Sequence, residues 1–459
     1  MSRWQKVKNS YHWCRALLAN VYYGFPSKQL YVIGVTGTNG KTTTVNLIAS
    51  ILERAGFLVG VSSTVNVCIG KKRKTNASKF TTPDAFSYQR FLADCVKAGC
   101  RFVVVEVSSH ALDQYRDWGT DYDCAVITNV TREHLDYHVT MEDYRRAKQR
   151  LFKRVAFNSG SKQGCPSGVI VVNCDMERPG DFILGGRDRI YIYRKERIAG
   201  DTYNKLSVGK KGSTQKVDNM LKTLTLEPSH ILEARGLQSD SRGSSFSVDG
   251  TSYHLKIPGV FNVENALAAL AVGRICGIPE KTAKQALESF AGVSGRMEYV
   301  ANKKGISIII DYAVTPDSME QVGSLVSGNF LQRKKGGSLI WVFGSCGNRD
   351  RGKRPIMGEI GARHADVVII TNEDPYYEDP TRIIDEVFSG VLRSGTKKEN
   401  QNAFRIFDRR EAIEKALTMA KEGDTVLITG KGAEENMKIG DALVPWNDRS
   451  VVEEVLISL

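Results

Sequence analysis

The sequence has no uninterrupted apolar run near membrane-spanning length, so no transmembrane helix is expected. Its N-terminus lacks an apolar core followed by a small-residue cleavage site, so no signal peptide is expected. It has no C-x-x-C spacing. The nine cysteines are an odd, scattered set. That argues against a disulfide framework or a zinc ribbon and for a reducing cytosol. There are no internal repeats and no long low-complexity tracts. The basic residues lack the aromatic interleaving of an RNA-binding surface, so nucleic acid is not an expected partner. The first thirty residues contain no acid at all.

What is present is a soluble globular composition over 459 residues, enough for two or three domains, each with its own core. The net charge of +13 suits anionic partners without choosing among them. Residues 1–30 carry five of the cations. Trp4, Val7, Tyr11, Cys14, Leu18 and Val21 recur there at helical spacing, which predicts a basic amphipathic helix. Such a helix can dock on the next domain or lie on an anionic membrane surface. Docking is the expectation, because Tyr22 to Pro26 leads straight into the first strand.

The most informative stretch is Val32 to Thr44, VIGVTGTNGKTTT. The apolar run Tyr31 to Val35 reads as a buried strand. It enters a turn, Gly37, Thr38, Asn39 and Gly40, and then a helical pattern through Thr42 and Thr43 to Arg54. Strand, glycine turn and helix start form a phosphate cradle of backbone N–H groups. Lys41 can reach the terminal phosphates, and the Thr42 hydroxyl can hold Mg²⁺. The strict G-x-x-x-x-G-K-[ST] pattern fails at its first glycine, which is Val35.

Strands alternate with helical patterns from Tyr31 onward. Strands are expected at 31–35, 102–107 and 124–129, and helices near 42–55, 84–98 and 141–153. This rhythm implies a parallel sheet covered by helices. Between 155 and 250 short strands are expected at 169–173, 189–193 and 221–226, with exposed hairpins. A helix follows from Val263 to Cys276, and Gly292 to Gly295 reads as a hinge. Strands at 306–310, 338–343, 366–371 and 425–429 then alternate with helices, a second doubly wound α/β domain. Glu106 ends the strand Phe102 to Val107, where ligands of open α/β sheets gather. A strand-end carboxylate beside a phosphate cradle suits Mg²⁺. His134 follows the next strand; taken alone it reads as a hydrogen-bonded structural histidine.

Together these motifs carry a resemblance. Thr36 to Thr42 (TGTNGKT), Glu106 to His110 (EVSSH), Asn129 to His138 (NVTREHLDYH) and Tyr144 to Lys148 (YRRAK) come first. Gly295 to Glu298 (GRME), Asp311 to Asp317 (DYAVTPD), Phe343 to Pro355 (FGSCGNRDRGKRP) and Gly430 to Gly432 (GKG) follow. Their order is similar to that of the Mur ligases, most closely the E type. The resemblance implies a central P-loop ATPase domain over 31–292 and a Rossmann-like α/β domain over 293–459. It implies an ATP-dependent acid–amino-acid ligase that adds a diamino acid to UDP-MurNAc-L-Ala-D-Glu in peptidoglycan precursor synthesis, through an acyl phosphate. A relative acting on another carboxylate, such as a folylpolyglutamate or cyanophycin synthetase, is the alternative. The E-type motifs at Glu106 to His110 and Arg349-Asp350 argue against it. A catalytically inactive nucleotide-binding scaffold is a third reading, opposed by Lys41, Glu106, His134 and Lys148 occurring together.

Site residues follow from the same resemblance. One Mg²⁺ would be held by Thr42 and Glu106, and a second would involve His134 and a carbamate formed from CO₂ on Lys148. Thr81, Thr82, Ser108, Gln114 and Arg116 would meet the UDP-sugar peptide. Asn262 and Asn265 would lie near adenine, and Arg296 and Asp311 near phosphates and ribose. Arg349, Asp374, Tyr376, Gly430 and Glu434 fall where the free amino acid is held. A cytoplasmic monomer is expected.

The pattern is broken in four places. The family's N-terminal UDP-binding domain, roughly a hundred residues, has residues 1–30 in its place. The usual histidines of the D-Y-A-H-T-P-D and G-K-G-H-E motifs are Val314 and Ala433. The D-N-P-R motif, whose Arg binds the far carboxylate of diaminopimelate, reads Glu373-Asp-Pro-Tyr376. With Glu373, Asp374 and Glu378 close in sequence, an anionic pocket is expected, one that favours a bare amine, as in lysine or ornithine.

Overall fold

A computed structural model of the chain describes residues 3–76, 80–196, 226–240, 242–328 and 337–459, with side chains from residue 8 onward. The chain forms two compact units. The first comprises residues 1–130, 142–238 and 243–291; the second comprises 131–141, 239–242 and 292–459.

The first unit is built on an eleven-stranded sheet. Its middle is parallel: Tyr31–Thr36 lies between Phe102–Glu106 and Cys124–Ile127. Val59–Ser62 pairs with Phe102–Glu106 on one side, and Val169–Asn173 with Cys124–Ile127 on the other. Every residue of Tyr31–Thr36, Phe102–Glu106, Cys124–Ile127 and Val169–Asn173 is buried. That is why these strands read as continuous apolar runs rather than alternations. Antiparallel hairpins close the two edges, Asn66–Ile69 with Lys72–Thr75 and Gly243–Val248 with Thr251–Leu255. The edge strand Lys72–Thr75 is fully exposed and reads Lys-Arg-Lys-Thr, charge that discourages edge-to-edge pairing. Helices Lys41–Arg54 and Val260–Ile275 pack together in the same core. The expected strand at 221–226 lies, but for Leu226, outside the described residues.

The N-terminal helix, Arg3–Tyr23, docks on helix Ala85–Lys97. The docked face is not the stripe that spacing suggests. Ala16 and Ala19 are buried against Ala85, with Phe86 and Trp118 beside them. Asn20 donates to the Trp118 carbonyl at 2.7 Å, and Trp13 meets Trp118 edge-on. Tyr11, Leu18 and Val21 stay about 60 % exposed. Small residues win the interface because they let two helices approach closely, and apolar periodicity cannot register that. No described helix is long and apolar enough to cross a membrane.

The second unit is a six-stranded sheet in the order Glu298–Val300, Ser307–Asp311, Thr425–Thr429, Leu339–Phe343, Val367–Ile370, Ala403–Arg405. All neighbours are parallel except the first pair. Sequence-distant strands lie side by side, as crossover helices require. The expectation of a parallel-rich α/β architecture in both halves holds.

Candidate active site

Tyr31–Thr36 delivers the chain to the Gly37–Gly40 turn, and helix Lys41–Arg54 starts directly after it. Gly37 has φ 152° and Gly40 φ 83°, the second in the left-handed region. A Cβ on Gly37 would lie 1.8 Å from Thr128 Oγ1, and one on Gly40 2.3 Å from Asn265 Oδ1. Only glycine fits either place. The loop is braced from outside. Thr128 Oγ1 donates to the Asn39 carbonyl at 2.6 Å, and Asn39 N–H donates to Asn129 Oδ1 at 2.9 Å. Thr44 Oγ1 donates to Asn265 Oδ1 at 3.1 Å, and Asn265 Nδ2 to Asn262 Oδ1 at 3.2 Å. Both asparagines are buried, so they stiffen the cradle at the level of Gly40.

Glu106 is buried at the end of its strand. Its Oε2 accepts from the Thr42 hydroxyl at 3.0 Å, and Lys41 Nζ lies 3.9 Å from Oε1. Lys41 itself donates to the Thr38 carbonyl at 2.7 Å, folded back along the loop. Among the described residues no three His, Cys, Asp or Glu side chains gather as a metal cage. One carboxylate and one hydroxyl beside a phosphate cradle suit Mg²⁺, which keeps waters and takes phosphate oxygens as further ligands. Lys148 is buried, its Nζ donating to the Gly37 carbonyl at 2.7 Å and lying 4.4 Å from the Tyr144 ring centre. His134 belongs to the second unit, with Nε2 3.5 Å from Glu133. Its φ of 57° is left-handed.

The residues expected to meet the peptide substrate fall into one group beside this loop. Thr82 Oγ1 donates to the Glu106 carbonyl at 3.0 Å and accepts from Ser108 N–H at 3.0 Å. Ser108 caps helix Ser109–Asp113. Gln114 accepts from Arg116 Nε at 2.8 Å, and Arg116 reaches the Thr82 carbonyl at 3.4 Å. Thr64 was not singled out from the sequence. It contacts both Glu106 and Thr81, at 3.1 and 3.0 Å from its hydroxyl. Its signal was position: Ser62-Ser63-Thr64 ends a strand on the ligand-bearing edge.

The second unit holds the other group. Asp311 is buried, accepting from Met297 and Ala313 N–H groups at 2.8 Å each, and Arg296 stacks on Tyr312 at 4.4 Å. Arg349 lies 5.2 Å from the Tyr376 ring centre, with Nη2 3.5 Å from the hydroxyl. Burial pushes the Tyr376 phenol up to about 12 against the pull of Arg349, so it is a neutral hydroxyl at physiological pH.

In the fold each acid of the expected anionic pocket has a hydrogen-bonding or ionic partner. Lys431 donates to Asp374 at 2.9 Å and also pairs with Glu434. Asp374 further accepts from Lys438 N–H at 2.7 Å. Burial alone would lower the Lys431 ammonium, but Glu434 and Asp374 together push it above its ordinary value. Glu378 is neutralised by Arg354 at 3.0 Å. Glu373 is buried against Gly430, takes the Cys346 thiol hydrogen at 2.8 Å, and is raised by desolvation. A buried carboxylate needs a partner. The chain supplies one for each, which counting acids in sequence does not reveal.

A glycine-turn phosphate cradle with a strand-end carboxylate, on a parallel sheet followed by a second α/β unit, defines a nucleotide-binding α/β protein. The comparisons specify it. The model of the Mur ligase middle domain matches residues 35–273, and that of the Mur ligase glutamate ligase domain matches 295–432. The chain belongs to the Mur ligase family. It is an ATP-dependent, ADP-forming amide ligase, and the family uses ATP and Mg²⁺. It is 37 % identical to a UDP-N-acetylmuramyl-tripeptide synthetase from Roseiflexus sp. (strain RS-1), over 97 % of this chain and 82 % of that one. It is 36 % identical to a UDP-N-acetylmuramoyl-L-alanyl-D-glutamate–2,6-diaminopimelate ligase from Clostridium botulinum, over 96 % and 81 %. A solved structure of a ligase of that second name superposes with TM-score 0.56 at 30 % identity, over 94 % of this chain and 79 % of the other. A folylpolyglutamate synthase from Mycobacterium tuberculosis superposes with TM-score 0.65 at 15 % identity, over 91 % of each chain, a likeness of fold alone.

Proposed function

We propose that the chain adds a diamino acid to UDP-MurNAc-L-Ala-D-Glu, in the synthesis of a peptidoglycan precursor. The γ-carboxylate of the D-glutamate attacks the terminal phosphorus of ATP, giving an acyl phosphate and ADP. The amine of the diamino acid then attacks the acyl carbon. Phosphate leaves with the C–O bonding pair, the amine loses a proton, and an amide remains. Two anions must meet in the first step, so positive charge at the loop decides the rate. Lys41 lies where it can swing from the Thr38 carbonyl to the transferring group. Thr42 and Glu106 would hold one Mg²⁺, which neutralises phosphate charge when bound. The observation that carries this reading is Glu106, buried and facing both Thr42 and Lys41. A carbamate on Lys148 would supply a further carboxylate beside the loop. Lys148 as a free amine would attack CO₂, losing one proton. Arg296 and Asp311 would serve the nucleotide. Phosphate release with UDP-MurNAc-dipeptide and a panel of amino acids tests the reading. No amino-acid-dependent release with any diamino acid would overturn it.

The amino acid itself turns on a count of cations. Lys431 is shared by Asp374 and Glu434, Arg354 by Glu378 and Glu386, and Arg351 by Glu378 and Glu386. Among the described residues, Arg349 is the guanidinium of this group that stacks on a tyrosine instead of pairing with a carboxylate within 4 Å, so it suits one α-carboxylate. Diaminopimelate brings a second carboxylate, and Tyr376 offers it one neutral hydroxyl. Lysine or ornithine is therefore the proposed substrate. The second reading is diaminopimelate, favoured by the names of several relatives. Tyr376→Arg should raise kcat/KM for diaminopimelate relative to lysine by about tenfold or more, since a charge-assisted pair adds roughly 1.5–3 kcal/mol. Wild-type enzyme with a higher kcat/KM for diaminopimelate than for lysine and ornithine would decide for the second reading.

A further inference from the structure

We propose that Thr64 is a positioning residue that couples the metal-binding carboxylate Glu106 to the substrate-facing Thr81, an inference that rests on Glu106 holding Mg²⁺. Thr64 sits just beyond strand Val59–Ser62, half-buried. Its backbone N–H donates to Glu106 Oε2 at 2.9 Å. Its hydroxyl lies 3.1 Å from the same oxygen and 3.0 Å from Thr81 Oγ1. A hydroxyl has one proton and two acceptor lone pairs. It cannot donate to both neighbours at once. A bare carboxylate is the stronger acceptor and takes the proton. The Thr64 proton stays directed at Glu106, and the Thr64 oxygen lies 3.0 Å from the Thr81 hydroxyl, so one side chain sets the place of both groups. Thr42 donates to that same Glu106 oxygen at 3.0 Å, so three donors fix the carboxylate's orientation before any ligand arrives. Hydrogen-bond partners of metal-binding carboxylates commonly set metal affinity by 10- to 100-fold.

Thr64→Val keeps the shape and the backbone N–H bond and removes the hydroxyl. Thr64→Ser keeps the hydroxyl. Mn²⁺ affinity of the protein–ADP complex, measured by calorimetric titration, should weaken about tenfold in Thr64→Val and stay within about twofold in Thr64→Ser. At saturating metal the dipeptide KM should rise several-fold in Thr64→Val. Thermal midpoints should match wild type in both. Unchanged Mn²⁺ affinity in Thr64→Val, or a serine variant as weak as the valine one, overturns the proposal. Glu106→Gln separates the two claims. If it binds Mn²⁺ as well as wild type, the metal role of Glu106 falls. If it loses Mn²⁺ while Thr64→Val does not, the coupling alone falls.

Discussion

Lys148→Ala should lose about 10²- to 10³-fold in kcat, the usual cost of removing one preorganised electrostatic contact from a phosphoryl-transfer site. The lysine occupies an uncommon place for its type. It is buried, its Nζ is 2.7 Å from the Gly37 carbonyl, and it stands over the Tyr144 ring. A long cation is not put there for solubility. Only the free amine of a lysine accepts CO₂. The carbamate would then act as a carboxylate beside the phosphate loop. Short carboxylates such as acetate or formate should restore part of the activity of Lys148→Ala, because they fit the space and carry the missing charge. Intact-mass measurement under bicarbonate should show the adduct on wild type alone. Full activity with unmodified Lys148 would end the carbamate proposal. A variant with unchanged kcat would remove Lys148 from the mechanism.

Arg409→Ala should destabilise the second unit by about 3–5 kcal/mol, the cost of leaving a buried charge without its partner. Both side chains of the Arg409–Asp448 pair are fully buried, joined at 2.8 and 2.7 Å. Arg409 opens helix Arg409–Met419, and Asp448 opens helix Asp448–Ser458. The guanidinium also donates to the Thr429 carbonyl at 2.9 Å, and Trp446 Nε1 donates to Asp448 at 2.8 Å. One pair therefore fixes two helix starts and the end of the strand that leads to Gly430. Thermal or urea unfolding followed by far-ultraviolet circular dichroism measures the loss, roughly 10 °C in midpoint. Replacing both partners, Arg409→Met with Asp448→Leu, should cost much less than Arg409→Ala alone, because no charge is stranded. A double variant no more stable than the single one would show that the pair's geometry, and not its desolvation, holds the unit together.

Much of this molecule follows from local sequence. Val32 to Thr44 dictates strand, turn and helix because glycine tolerates the backbone that Gly37 and Gly40 adopt and other residues do not. Continuous apolar runs such as Phe102 to Val105 identify buried parallel strands, since helices cover both faces of such a sheet. Glu106 was legible because a carboxylate at the end of a buried strand has few other uses. The docked face of the N-terminal helix was not legible: Ala16 and Ala19 lie inside while Leu18 and Val21 lie outside. Contact there depends on how closely another helix approaches, which spacing does not encode.

The charge of the amino-acid group was decided only by tertiary structure. Asp374 reads in sequence as a free anion, yet Lys431, 57 positions away, pairs with it. Thr64 reads as an ordinary loop threonine, yet folding sets it between Glu106 and Thr81, 42 and 17 positions away. Local stretches fix backbone conformation because steric and hydrogen-bonding preferences act between near neighbours. Which carboxylate remains charged, and which hydroxyl proton faces which acceptor, depends on atoms brought together across the chain by burial.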